Sequence, residues 1–191
     1  MAGNISESQG DVLLKMARAS IYEKLGYPSG DPETREQDSA FLERKQGLFV
    51  TLHKKGKLRG CIGNLEPVKT LREGIAENAV CAAFRDSRFS PLAPEELDLI
   101  EIEVSLLSQP EKLAFRDCRD LLTLLVPGKH GVIIEKGGCR ATFLPQVWEQ
   151  LPGCEAFLGH LCTKAGLAST AWKEKGMIVY TYEVQHFAEE P

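Results

Sequence analysis

The chain lacks paired cysteines, long apolar runs and a basic excess. Its six cysteines, Cys61, Cys81, Cys118, Cys139, Cys154 and Cys162, are scattered, with no CxxC spacing. No metal site can be read from such spacing, and neither a metal nor a cofactor is expected. MAGNISESQGD carries no basic segment followed by an apolar one, so no secretory signal is expected. A cytoplasmic location with reduced thiols follows as the expectation. No apolar run approaches the ~18 residues of a membrane span, so no membrane partner is expected. The net charge is −4, from 23 Lys and Arg against 27 Asp and Glu, which argues against nucleic acid. A local basic cluster, Lys54-Lys55-Gly56-Lys57, reads as a solvated hairpin tip.

What is present is ordinary globular material: 43% hydrophobic and 26% charged residues over 191 positions. That is enough for one large domain, or a domain with a small lobe, around a sizeable core. Ser6 to Gly26 has the apolar spacing of a helix, with Gly26 and Pro28 closing it. Tyr27 to Ser39 is polar and rich in Pro, Gly and Asp, and reads as a mobile loop. A second helix is expected from Glu66-Pro67 through Phe84. Leu99 to Leu107 alternates as a half-buried strand, with Glu101, Glu103 and Ser105 on its polar side. A short helix over Asp117–Val126 is followed by a hairpin of Gly131–Lys136 and Gly138–Leu144. Helices over Pro145–Leu151 and Glu155–Gly166 come next, and Met177–Phe187 reads as one long last strand. The order predicts an α+β fold: a mainly antiparallel sheet with flanking helices.

The stretch Leu48 to Leu65, LFVTLHKKGKLRGCIGNL, is the hardest to account for as core, cap or turn alone. It predicts a β-hairpin whose return strand holds Arg59-Gly60-Cys61-Ile62-Gly63. Placing Leu48, Val50, Leu52, Leu58 and Ile62 on one face predicts a three-residue loop, Lys54-Lys55-Gly56. Leu52 then pairs with Leu58 and Leu48 with Ile62, Cys61 faces Phe49, and Arg59 faces Thr51. His53 falls roughly 13 Å from Cys61 at ~3.3 Å per residue.

Leu58-Arg59-Gly60-Cys61-Ile62-Gly63 after a strand is the hallmark of the AMMECR domain family, which this chain resembles. Arg88-Phe89-Ser90-Pro91, Glu103-Val104-Ser105-Leu106-Leu107-Ser108, Phe143-Leu144-Pro145-Gln146-Val147 and Lys164-Ala165-Gly166-Leu167 follow in the order the family shows. The resemblance covers 11–187 as a single AMMECR-like domain of large and small lobe, with 1–10 as tail and helix start and 27–39 as the mobile loop. Asn64 departs from the threonine of many members. The resemblance implies two unequal lobes with a cleft near LRGCIG. It implies no known activity, because the family is biochemically unassigned. Prokaryotic members accompany or are fused to Memo-like and radical-SAM proteins, which makes these the partners it suggests.

Cys61 is the candidate catalytic residue. Arg59, two positions away, would stabilise a thiolate or hold an anionic group. Gly60 and Gly63 permit close backbone approach, and Gly63-Asn64 could present N–H groups to an oxyanion. The alternative is a buried structural thiol in a glycine-kinked strand. Arg88 reads as an anion clamp packed on Phe89, and Lys164 as an amine at the cleft or a helix C-terminal cation. A nucleophile needs a base within reach; His53 fails that test in this register, His130 and His160 remain possible without local context pointing at Cys61, and His186 reads as exposed near the end of the sequence. The reading that follows is a binding or accessory module for a small anionic ligand or partner segment, contacted by Arg59, Gly60, Cys61, Gly63, Asn64, Arg88 and Lys164. A Cys61-dependent group-transfer enzyme and a purely structural LRGCIG remain the alternatives, so whether the chain is an enzyme stays open.

Overall fold

The structure, a computed structural model, describes residues 5–28 and 40–190. It divides into two compact units. One runs to Leu107 and resumes at Gln185; the other comprises Ser108–Val184. Residues 29–39 of the expected mobile loop, and 1–4 of the expected tail, lie outside the described residues.

The first unit opens with helix α1 (Glu7–Lys24). Ser6 caps it through a reciprocal pair with Gln9, which satisfies two backbone donors that a helix start otherwise leaves open. Strands β1 (Leu48–Lys54) and β2 (Lys57–Asn64) form the predicted hairpin. Helix α2 (Leu71–Phe84) starts later than Glu66-Pro67. The Thr70–Glu73 capping box sets its first turn, a T-x-x-E signal that outranks the proline. A 3₁₀ turn (Pro94–Leu99) leads into β3 (Ile100–Leu107). The sheet order is β2-β1-β3-β8, where β8 is Val184–Ala188, with β1 antiparallel to both neighbours. Leu48, Val50 and Leu52 of β1 and Ile102, Val104 and Leu106 of β3 are buried against Leu13, Ala17 and Ile21 of α1 and Leu71, Ile75 and Ala79 of α2. That cluster is the core of the unit, and it seals one face of the sheet.

The second unit holds β4 (Glu111–Lys112), helix α3 (Cys118–Leu124), β5 (Gly131–Lys136), β6 (Cys139–Phe143), α4 (Cys154–Lys164) and β7 (Ile178–Tyr182), with sheet order β4-β7-β5-β6. The expected helix at Pro145–Leu151 is a 3₁₀ turn, Pro145–Glu149. Its Trp148 stacks on Phe157 with ring centroids 3.6 Å apart, in a core with Leu121, Val132, Ile134, Leu161 and Val179.

Two further expectations need correction. The long strand over Met177–Phe187 breaks at Glu183: β7 belongs to the second sheet, whereas β8 (Val184–Ala188) pairs in the first. Nothing local marks the break, because apolar and β-branched residues suit either sheet. The hairpin register also differs. The turn has two residues, Lys55 (φ 52°) and Gly56 (φ 70°), both left-handed as a type I′ turn requires. Val50 pairs with Ile62, Thr51 with Cys61, Leu52 with Gly60 and His53 with Leu58, which leaves Arg59 as the extra residue of a bulge. Leu58 is thereby turned outward and is 42% exposed instead of joining the core.

Gly60 shows why this register holds. A Cβ there would lie 2.2 Å from the carbonyl oxygen of Ala82, so α2 crosses directly over the strand backbone. A side chain would have to push the helix away. Gly60→Ala is expected to lower stability by about 1–3 kcal/mol or more through overpacking, measured as a reduced urea midpoint. An unchanged midpoint would refute the close crossing.

Candidate functional site

The bulge gives Arg59 its direction. Its guanidinium donates to Glu96 through Nε (3.0 Å) and Nη2 (2.8 Å). Lys54 Nζ joins the same carboxylate at 2.8 Å, and the Ala93 N–H closes its other side. These donors, the Arg59 hydrogen bonds foremost, hold the Glu96 carboxyl well below the usual carboxylate range. Nη1 of Arg59 is buried and has no hydrogen-bond partner among the described residues.

Cys61 lies on β2, an edge strand, and its peptide groups face away from β1. Asp86 Oδ2 accepts the Cys61 N–H at 2.9 Å, and Arg88 Nη2 donates to the Cys61 carbonyl at 3.3 Å. Arg88 also grips Asp86 through Nε (2.9 Å) and Nη2 (2.6 Å). Two side chains thus stand where a neighbouring strand would pair, which closes an otherwise open edge. Asp86 is only 6% exposed. Arg88 foremost, with the Cys61 N–H, keeps its carboxyl far below the ordinary range against the opposing effect of burial. Arg59 and Arg88 both stand over the Phe89 ring, 5.9 and 5.5 Å from its centroid.

The Cys61 side chain projects from the face opposite the helices, as pairing with Thr51 demands. The Thr51 hydroxyl donates to its sulfur at 3.3 Å. Gly63 pairs with Phe49 on the same face, and a Cβ on Gly63 would strike the Phe49 ring at 2.3 Å. Asn64 is occupied elsewhere: its amide donates to the Glu66 carbonyl (2.7 Å) and its oxygen accepts from buried Asn78 (3.0 Å). Arg59, Gly60, Cys61, Gly63, Asn64 and Arg88 are therefore gathered around β2. Lys164 belongs to the other unit, where it donates to the Thr142 carbonyl (3.0 Å) and stands 5.1 Å from the Phe143 ring centroid.

Sequence reasoning missed the continuation of this face. Thr51 pairs with Glu103, and Phe49 with Ser105. Glu103 accepts from Ser105 (3.2 Å), lies 3.3 Å from His186 Nδ1 of β8, and has His53 Nε2 3.9 Å from its second oxygen. The hydrogen bond to His186 foremost keeps its carboxyl below the usual range. Ser105 is 4% exposed, so it is no part of a solvated face. The alternation of β3 put Glu101, Glu103 and Ser105 on one side, but the neighbours that surround them come from positions fifty and eighty residues away. His53 is diagonal to Cys61 across the hairpin, about 7–8 Å apart along the backbone for such neighbours and so nearer than expected, and its Nε2 is turned toward Glu103. In the second unit, an open groove of about 390 Å³ is lined by residues including Glu155, Gly159, His160, Thr163 and Lys173. Among the described residues no group of three or more His, Cys, Asp or Glu side chains is placed to hold a metal ion, and no helix is long and apolar enough to cross a membrane.

Two antiparallel sheets, each with its own helices and core, and an arginine-cysteine edge strand closed by an acid–arginine pair define an α+β protein of a particular kind. The family model described as AMMECR1 matches residues 14–187, and the chain belongs to that family. A protein of Methanosarcina acetivorans is 41% identical over 188 residues, covering 97% of this chain and 94% of the relative. One of Methanothermobacter thermautotrophicus is 40% identical over 193 residues, covering 97% of each. The crystal structure of an uncharacterized protein from Pyrococcus horikoshii superposes with a TM-score of 0.79 at 34% identity, covering 97% of this chain and 94% of that one.

The pH dependence of stability follows from Asp86. Its folded carboxyl titrates lower than an unfolded one, so its contribution is present above about pH 4, the ordinary carboxylate range. It is lost as pH falls through the folded value. Asp86→Asn is expected to be less stable at pH 7 by on the order of 1–3 kcal/mol, the cost of unmaking buried charged hydrogen bonds. The gap to the wild type should narrow as pH drops below about 4. Urea unfolding at pH 7 and pH 3 checks both; a constant gap would rule out the ionised clamp.

Proposed function

We propose that this chain is a binding or accessory module whose ligand lies against the polar face of the first sheet, beside Arg59-Gly60-Cys61-Ile62-Gly63. The observation that carries the reading is the asymmetry of that sheet. One face is sealed by Leu48, Val50 and Leu52 under two helices; the other carries Phe49, Thr51, His53, Cys61 and Glu103, all partly exposed. A sheet face with hydroxyl, thiol, imidazole and carboxylate groups beside an aromatic ring suits recognition of a small molecule or an extended partner segment. Arg59 and Arg88 are both engaged by carboxylates, which favours the partner segment over a free anion. Arg88, with 54% of its side chain exposed, is the cation that an anionic group would meet first. Memo-like and radical-SAM proteins are the partners the family resemblance suggests.

A structural reading of the motif also has support, since Gly60, Gly63, Arg59 and Asn64 each have a packing or hydrogen-bonding partner. A nucleophilic Cys61 has less: its sulfur bonds to a hydroxyl, and among the described residues no imidazole or carboxylate is hydrogen-bonded to it.

Backbone amide NMR spectra separate these readings. Titration with phosphate, small carboxylates, or purified Memo-like and radical-SAM proteins encoded by the same genome should shift amides at Thr51, Cys61, Gly63 and Arg88. Thr51→Val should weaken that response with the fold intact. Shifts confined to other surfaces would defeat the placement. If Cys61→Ala lowers stability and leaves every titration unchanged, the structural reading prevails. Iodoacetamide labelling addresses the enzyme alternative: a Cys61 that labels no faster than partly exposed Cys139 is the expected result, and much faster labelling would favour the nucleophile.

A further inference from the structure

The polar row continues on β8 into an arrangement that binding alone does not require. His186 Nδ1 lies 3.0 Å from Ser105 Oγ and 3.3 Å from Glu103 Oε1, and the Ser105 hydroxyl is 3.2 Å from that same carboxylate oxygen. The donor inventory favours one placement of the protons. An ionised carboxylate only accepts, and a hydroxyl has one hydrogen. Ser105 spends its hydrogen on Glu103, so its lone pairs face His186. Both neighbours of Nδ1 are then acceptors, and Nδ1 carries the proton. In the reverse arrangement, with Ser105 donating to a bare Nδ1, lone pairs on Nδ1 and Oε1 would oppose each other at 3.3 Å. The neutral ring therefore keeps its free lone pair at Nε2.

Burial divides this group in a useful way. Ser105 is 4% exposed and the Glu103 side chain 29%, whereas the His186 side chain is 44% exposed. The ring is anchored at Nδ1 against buried Ser105, while the side chain as a whole stays nearly half exposed. The second Glu103 oxygen faces His53 Nε2 at 3.9 Å, so the carboxylate is flanked by two imidazoles, and Glu101 stands across from His53 on β3.

We propose that His186 is a carboxylate-oriented general base of this face. It accepts, at Nε2, the proton of a hydroxyl, amine or thiol on the ligand that the face holds. The step is balanced: the X–H bond breaks, the Nε2–H bond forms, and the ligand atom keeps the electron pair. Glu103 compensates the positive charge that appears on the ring, as a carboxylate does for a catalytic histidine. Glu103 and Ser105 are positioning residues. The inference rests on the binding reading for its ligand and adds the chemical class of that ligand, a molecule with a protic group to be activated.

Two measurements test it on the intact chain. Long-range proton–nitrogen correlation spectra of the wild type at pH 8 should show His186 protonated at Nδ1 with a bare Nε2. Glu103→Gln, whose amide can donate to Nδ1, should move the proton to Nε2. Acylation by diethyl pyrocarbonate, mapped by mass spectrometry with His160 as internal reference, should then slow several-fold at His186, because the nucleophilic lone pair has left Nε2. An Nε2–H tautomer in the wild type overturns the proposal, as does an unchanged His186 acylation rate in Glu103→Gln. The tautomer is read on unmodified protein, so a poorly folding variant does not spare the proposal. A ligand that shifts the Thr51 and Cys61 amides while His186 is the Nε2–H tautomer refutes the base and leaves the binding reading standing.

Discussion

The peptide group of Cys61 is the point on which the rest of the site depends. It belongs to an edge strand, and unpaired edge peptides attract other chains. Asp86 and Arg88 close it from outside, one taking its N–H and the other its carbonyl. Because both backbone groups are fixed, the Cys61 side chain must stand on the face away from the helices, next to Thr51. The neighbouring residues are constrained with it. Gly60 turns toward α2 and must lack a side chain, and Gly63 turns toward Phe49 and must lack one too. The two glycines of the motif face opposite sides of one strand for two separate packing reasons.

The same geometry redistributes charge. Arg59 and Lys54 converge on Glu96, and Arg88 on Asp86, so the arginines that flank the thiol act first as staples of loop to strand. A largely buried pair such as Arg59–Glu96 adds little net stability over apolar packing, but breaking it leaves a charge stranded. The face itself carries a thiol, a hydroxyl, two imidazoles, a carboxylate and an aromatic ring. Four strands contribute to it, and β1 in the second position holds the row together by pairing with β2 on one side and β3 on the other.

Legibility in the sequence tracked the range of the interaction. The helices α1, α2 and α4, the alternation of β3 and the two hairpins follow from periodicity and turn residues, which act over a few positions. The hairpin register was misread because the bulge at Arg59 is not a local preference. Arg59 leaves the ladder to reach Glu96, thirty-seven residues on, and Leu58 goes outward with the shift. His186, exposed near the end of the chain, and Glu103, on the polar side of β3, give no local sign of each other. Neither could be placed until β8 was known to leave the β7 sheet and pair beside β3.

By itself, the sequence determined the α+β class, the family, and the strand on which Arg59, Gly60, Cys61 and Gly63 lie. These depend on local patterning and on motifs that are contiguous in the chain. Only the tertiary structure decided which side chains share a face with Cys61, which arginines are already spent on carboxylates, and that His186 meets Glu103 and Ser105. Those facts arise from strand order, and strand order is set by burying a common apolar face among segments far apart in sequence, which no single window of residues contains.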